Sequence, residues 1–330
     1  MFKKSHLTFI IVILVIGIAC VLFGSFFDWQ ISMGIAKPII DSMAFGHYLV
    51  YEPISMIVEI FGILFSIFIF SSSFLILFIE RDENAFNKQR QFIKSFWIWI
   101  AVGIYTITFK TFLFESIYNY IFNPTINNVV GSMQLNVWLQ IIIYLISFGL
   151  AYGTVIFTLK LLKKYQSVFC DRKKEAIKMI IVSIVLLAFV GIMKMSITRE
   201  RFRAIIFLHT QDMHNYFSVW YKDSAYSHDN IVPAEFNQSF PSGHVLINMN
   251  IFLLWFFIPK TNKRNKQITI LKTLIIAIPT INCIGRLISG AHYLSDIGWS
   301  IIIGVLTILI VQIAFNYTAY KKKIKNRLYD

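Results

Sequence analysis

Three features of the sequence predict an all-α fold, a polytopic transmembrane helix bundle. First, 57% of the 330 residues are hydrophobic, 16% are aromatic and only 15% are charged. With a mean hydropathy of +0.65, the chain holds far more apolar surface than the core of a soluble domain of this length can use. Second, eight apolar runs approach the length of about 20 residues that a helix rising 1.5 Å per residue needs to cross a bilayer. Third, the basic residues gather between those runs in a pattern that alternates from side to side.

The runs lie at 7–27, 55–79, 96–114, 137–161, 178–195, 244–259, 270–288 and 296–316. Lys3 and Lys4 precede the first, and Arg81 follows the second. Lys88, Arg90 and Lys94 lead into the third, and the fourth ends on Lys160, Lys163 and Lys164. Arg172, Lys173 and Lys174 open the fifth. The sixth starts at Pro-Ser-Gly-His and stops at Lys260, the seventh follows Lys263, Arg264 and Lys266, and the eighth runs from Asp296 toward the cluster that starts at Lys321. With the amino terminus inside, 23 of the 31 Lys and Arg residues fall on the inner side, so both termini are expected in the cytoplasm. The net charge of +14 is therefore a topology signal, and a nucleic-acid partner is not expected.

No repeat of 20–50 residues is visible. The chain divides by character instead: residues 1–176 form about four N-terminal spans, and 177–330 carry four more with an outer loop at 195–241. That second part holds nearly all the polar groups a lipid environment would penalise. The outer loop is too polar to cross, and its aromatics, among them Phe202, Phe217, Trp220 and Tyr221, are expected at headgroup level as a lid or rim. Cys20, Cys170 and Cys283 lack metal spacing and read as packing residues.

Three short segments can carry chemistry. In the first, "SFPSGHVLIN" at 239–248, Pro241 and Gly243 permit a turn and Ser242 can cap a helix. The free N–H groups of that helix make an anion site beside His244. Alone, the same residues also read as a capped helix start with an interfacial histidine. In the second, "GRLISGAHYLSD" at 285–296, His292 and Asp296 lie four apart on one helix face, where the carboxylate can accept a hydrogen bond from the imidazole and leave its far nitrogen free to attack. Arg286 would fall on the opposite face of a continuous helix, but Gly290 allows a turn that brings it back. A structural Arg–Asp pair is the alternative there. In the third, "KMSITRER" at 194–201, Lys194 and Arg201 lie seven apart and share a helix face. Snorkelling to the interface is the competing reading, and it is the one we adopt for Arg199, Arg203 and Lys222.

In order and spacing, Lys194 with Arg201, Pro241 to His244, and Arg286 with His292 and Asp296 resemble the three-part signature of the type 2 phosphatidic acid phosphatase superfamily, the lipid phosphate phosphatases. Phe202 stands where that family has proline and Gly285 where it has serine. The family core has six spans, so two of the eight would be extra. The resemblance implies an integral-membrane phosphatase acting on a lipid phosphate at the outer face. In it His292 is the nucleophile that forms a phosphohistidine, Asp296 orients it, and His244 is the acid and then the base. Lys194, Arg201 and Arg286, with Ser242 and Gly243, hold the phosphate. No cofactor and no metal is implied, and the partners are the lipid substrate and the bilayer. A phosphotransferase of the same superfamily and a non-enzymatic anionic-lipid transporter or scaffold are the alternatives. His209, His214 and His228 with Asp212, Asp223 and Asp229 fit no zinc spacing and are expected to form a polar rim.

Overall fold

The computed structural model describes residues 4–42, 64–77, 88–111, 137–164, 172–208, 213–221, 238–258 and 266–329. The chain is all-α, and each of the eight apolar runs is helical wherever it is described. The helices are α1 Lys4–Ser42, α2 Leu64–Leu77, α3 Lys88–Thr111, α4 Val137–Lys164, α5 Lys173–Ser196, a short α6 Phe202–Leu208, α7 Gly243–Phe257, α8 Lys266–Ile288 and α9 Leu294–Tyr329. Among the described residues, α1, α4, α5, α8 and α9 are long and apolar enough to cross a membrane, while α2, α3 and α7 have shorter apolar stretches.

Two compact units emerge. One is Ile67–Ile180, and the other joins Met1–Ser66 to Ile181–Asp330. Inside the first unit α3 packs along α4, and Phe74 stacks on Trp97 at 4.9 Å. Several of its hydroxyls are returned to their own helices: Ser71 donates to Ile67 O, Thr106 to Val102 O and Thr158 to Thr154 O, each at 2.8 Å. Such i−4 bonds are how a polar side chain avoids an unsatisfied group where water is absent.

In the second unit the first helix packs mainly against the last. Glycine makes the approach possible. A Cβ on Gly24 would sit 2.5 Å from Ser295 N, and one on Gly298 would sit 2.7 Å from Val21 N, so the backbones themselves are in contact, as small residues allow in membrane helix pairs. At one end of this pair Ala36, Ile40, Phe202 and Tyr293 form a buried cluster, with Trp29 and Phe217 packed on it.

α7 is irregular. Gly243–Asn248 is α-helical, Met249–Leu253 tightens to 3-10 geometry, and Leu254–Phe257 returns to α. Its buried asparagines are held within the unit. Asn248 accepts from Ser66 Oγ, and Asn250 Nδ2 donates to Ser183 Oγ at 3.2 Å.

Candidate active site

Four helix ends supply the site: the last turn of α5, the first of α7, the last of α8 and the first of α9. Between α8 and α9 the chain turns at Gly290, whose φ of +62° is one that glycine adopts without steric cost. Across that turn His292 N donates to Arg286 O at 3.3 Å, and Gly290 O accepts from Arg203 N at 3.0 Å. The turn allowed by Gly290 thus ties Arg286 to His292 through the backbone.

His292 is 1% exposed. Its Nδ1 lies 2.6 Å from Ser239 O. A carbonyl only accepts, so Nδ1 carries the proton and Nε2 holds the lone pair. Among the described residues no group bonds to Nε2, although it is buried. The pKa of His292 is held well below its ordinary 6.5, first by burial and then by the positive charge of Arg286, Arg201 and Lys194 and by His244. The ring is therefore neutral at neutral pH.

The direct imidazole–carboxylate bond expected between His292 and Asp296 is absent: Nδ1 and Asp296 Oδ2 are 3.9 Å apart, beyond hydrogen-bond reach. Asp296 acts one residue removed. Its Oδ2 accepts from Ser239 Oγ at 2.6 Å and from Tyr293 N at 3.0 Å, and the carbonyl of the same Ser239 holds the ring. The i, i+4 spacing does place the two residues on one face, but Ser239 takes the position between them.

Arg199 overturns its snorkelling assignment. It is 1% exposed, and each of its three nitrogens donates: Nε to Ser218 O at 2.8 Å, Nη1 to Asp296 Oδ1 at 2.5 Å and Ser295 Oγ at 2.9 Å, and Nη2 to Asp28 Oδ2 at 2.9 Å. Its guanidinium also lies 3.9 Å from the Tyr293 ring centroid, a cation–π contact. Burial opposes its charge, but Asp296 and Asp28 more than offset that, and its pKa is raised.

Lys194 and Arg201 do not share a helix face. α5 ends at Ser196, and Arg201 O accepts from Ala204 N and Ile205 N at the start of α6. Both nevertheless act electrostatically on His244 and on His292. Lys194 also lies against Gly243, where an added Cβ would sit 3.5 Å from its Cε. Arg203 reaches His244 as well, unlike the interface role expected for it. Lys222 lies outside the described residues.

Ser242 occupies the N-cap position of α7, but its side chain makes no cap bond. The hydroxyl is buried, and no group among the described residues bonds to it; leaving a hydroxyl so costs about 1–3 kcal/mol. Its carbonyl accepts from Leu246 N at 2.9 Å and Ser300 Oγ at 3.1 Å. Because the α-helical segment after it has only six residues, we attach the anion site to side chains rather than to a helix dipole.

Two aromatics of the loop expected at headgroup level turn inward, whereas Tyr221 is exposed. Phe202 is fully buried beside Trp29 and Tyr293, and Trp220 donates to Ser25 Oγ at 2.9 Å and packs on Trp299. Phe202 begins α6, a position where proline is also tolerated, so the departure from the family pattern leaves the turn in place and adds apolar contact. His214 packs edge-on against Trp29, while His209, Asp212, Asp223, His228 and Asp229 lie outside the described residues.

A family model for the PAP2 superfamily matches residues 175–320, a stretch that contains all three motifs. That part of the chain is similar to the PAP2 superfamily. No curated protein and no solved structure gave a match. The match supports a phosphatase-type hydrolase in general, and the apolar helices suit a membrane protein. Asp28 and Ser239 had no place in the motif reading. Asp28 could have been found as the only carboxylate between residues 5 and 40, since an ionisable group inside a span is rarely idle.

Proposed function

We propose that this chain hydrolyses a phosphomonoester or diphosphate of a membrane lipid through a phosphohistidine on His292, at the outer membrane face. The observation that carries the reading is the polarity of one ring: Nδ1 is tied to Ser239 O, while buried Nε2 has no hydrogen-bond partner among the described residues, and the ring as a whole is acted on by Arg286, Arg201, Lys194 and His244. Nε2 attacks phosphorus, the P–O bond to the lipid breaks, and His244 gives its proton to the departing oxygen. Water then attacks the phosphohistidine, His244 takes a proton from it, the P–N bond breaks, and inorganic phosphate leaves.

Most of the catalysis in such a transfer is charge stabilisation at the phosphoryl oxygens. Arg286, Arg201 and Lys194 are placed to supply it, and the Ser242 hydroxyl gains an acceptor when phosphate is bound. These three cations take the part that a metal ion plays in other phosphoryl transfers, so the reaction should proceed in chelator. Undecaprenyl diphosphate, phosphatidylglycerophosphate, phosphatidic acid and a lipid A-like phosphate are the substrates to offer. Purified protein should release phosphate from at least one of them with chelator present, and His292→Ala should abolish it. Equal release by the variant would end this reading, and a phosphorylated acceptor in place of free phosphate would move it to the phosphotransferases.

The outer face follows from the basic loops, 23 of whose 31 residues fall on the opposite side from the motifs. Tyr221, 60% exposed in the loop before α7, offers a direct check. A cysteine there should react with a membrane-impermeant maleimide on intact cells, and protection until the cells are opened would place the site inside.

A further inference from the structure

We infer that Asp28 of the first helix and Arg199 are positioning residues for His292, acting through Asp296 and Ser239, so that α1 is part of the catalytic apparatus. This rests on the reading of His292 as the nucleophile. Asp28 lies outside the stretch that matches the family model and outside all three motifs, and Arg199, although it lies within the 194–201 segment, is not one of the signature residues.

The chain of contacts is continuous. Asp28 Oδ1 accepts from Ser295 N at 3.0 Å, and its Oδ2 accepts from Ser295 Oγ and from Arg199 Nη2. Arg199 Nη1 reaches Asp296 Oδ1, and Asp296 Oδ2 takes the Ser239 hydroxyl. Ser239 N in turn donates to Arg199 O at 2.9 Å. Ser239 is therefore held at its amide, its hydroxyl and its carbonyl, and the direction of that carbonyl sets the imidazole plane and keeps the proton on Nδ1. An outer partner of this kind orients the reacting group without touching substrate.

Charge gives the arrangement a second use. Two carboxylates and one guanidinium leave an excess of one negative charge on the Nδ1 side. When Nε2 bonds to phosphorus and Nδ1 keeps its proton, the ring becomes cationic, and that excess lies where the new positive charge forms. Stability alone is a weak reason for such a cluster, because a buried ion pair is often no better than apolar residues of the same volume.

The test compares wild type with Asp28→Asn, Ser239→Ala, Arg199→Gln and Arg199→Lys in purified full-length protein. Asp28→Asn and Ser239→Ala should lower kcat by about 10- to 100-fold, the usual cost of losing an outer partner, with KM within about twofold and the thermal midpoint in detergent little changed. Combined, they should cost less than the product of the two losses, since residues of one network are not additive. Arg199→Lys should recover part of what Arg199→Gln loses. Retention of wild-type kcat by both Asp28→Asn and Ser239→Ala, with His292→Ala inactive, would overturn the inference and leave the phosphatase reading intact.

Activity is not the only readout. Modification of His292 by diethylpyrocarbonate, followed by mass spectrometry, should be faster in Ser239→Ala and Asp28→Asn than in wild type, because a released ring can leave its buried site. An unchanged rate in both overturns the positioning role even if wild type hydrolyses none of the lipids offered; that second failure would count against the proposed function alone.

Discussion

The two nitrogens of His292 look onto opposite chemistries. On the Nδ1 side stand Ser239, Asp296, Arg199 and Asp28, each bonded to the next, with carboxylates outnumbering guanidinium two to one. Nε2 has no hydrogen-bond partner among the described residues, and neither has the Ser242 hydroxyl, while Arg286, Arg201, Lys194 and His244 all act on the ring with one sign. One nitrogen is fixed, and in the proposed reaction the other meets the anion. Buried polar groups are normally matched, so the asymmetry marks where a ligand belongs more sharply than the motif spacing does.

The comparison is tested most strongly by removing one group from each side. Arg286→Ala takes away a cation from the phosphate side and should lower kcat by about 10²–10³-fold, the usual cost of losing one charge-stabilising donor. Asp296→Asn acts on the other side. Where a carboxylate bonds directly to the catalytic imidazole, this change costs about 10⁴-fold by imposing the wrong tautomer. Here Ser239 O sets the tautomer, so we expect a loss nearer the 10–100-fold of an outer partner. Steady-state kcat for the two variants decides the matter. A loss for Asp296→Asn as large as that seen for direct triads would mean that carboxylate and ring touch during turnover.

The same asymmetry explains what could be read from the sequence. The motif residues and the all-α class follow from spacing and hydropathy, because the i, i+4 register of His292 and Asp296 and a run such as 296–316 are local properties. Gly290 was readable too, since a single glycine can reverse a helix end. Arg199 and Asp28 could not be paired by the same means. They are 171 residues apart, and their contact depends on α1 packing against α9 through Gly24 and Gly298. Lys194 and Arg201 failed for a related reason: a seven-residue spacing implies a shared face only while the helix lasts, and α5 stops at Ser196. Ser239 stood inside the quoted motif, but its role lies mainly in its backbone carbonyl, which no residue type announces.

The smallest effect expected is on pH dependence, and its sign follows from the phosphate side. Burial and then Arg286, Arg201, Lys194 and His244 hold the His292 pKa well below 6.5 in the folded protein, whereas the unfolded chain titrates near its ordinary value. Between those two values the unfolded state binds a proton that the folded state does not, so this histidine's contribution to stability is complete above about pH 6.5 and is lost as the pH falls. The thermal midpoint in detergent should therefore drop on going from about pH 7.5 to 5, and it should drop less in His292→Gln, which has no ring to protonate. Because the nucleophile stays neutral through the same interval, the acid limb of kcat/KM that belongs to His292 must lie below 6.5. If that limb is found at or above 6.5 and does not shift when Lys194 is replaced by Gln, the cations do not act on the ring as its lowered pKa requires, and the two nitrogens of His292 differ less than their contacts indicate.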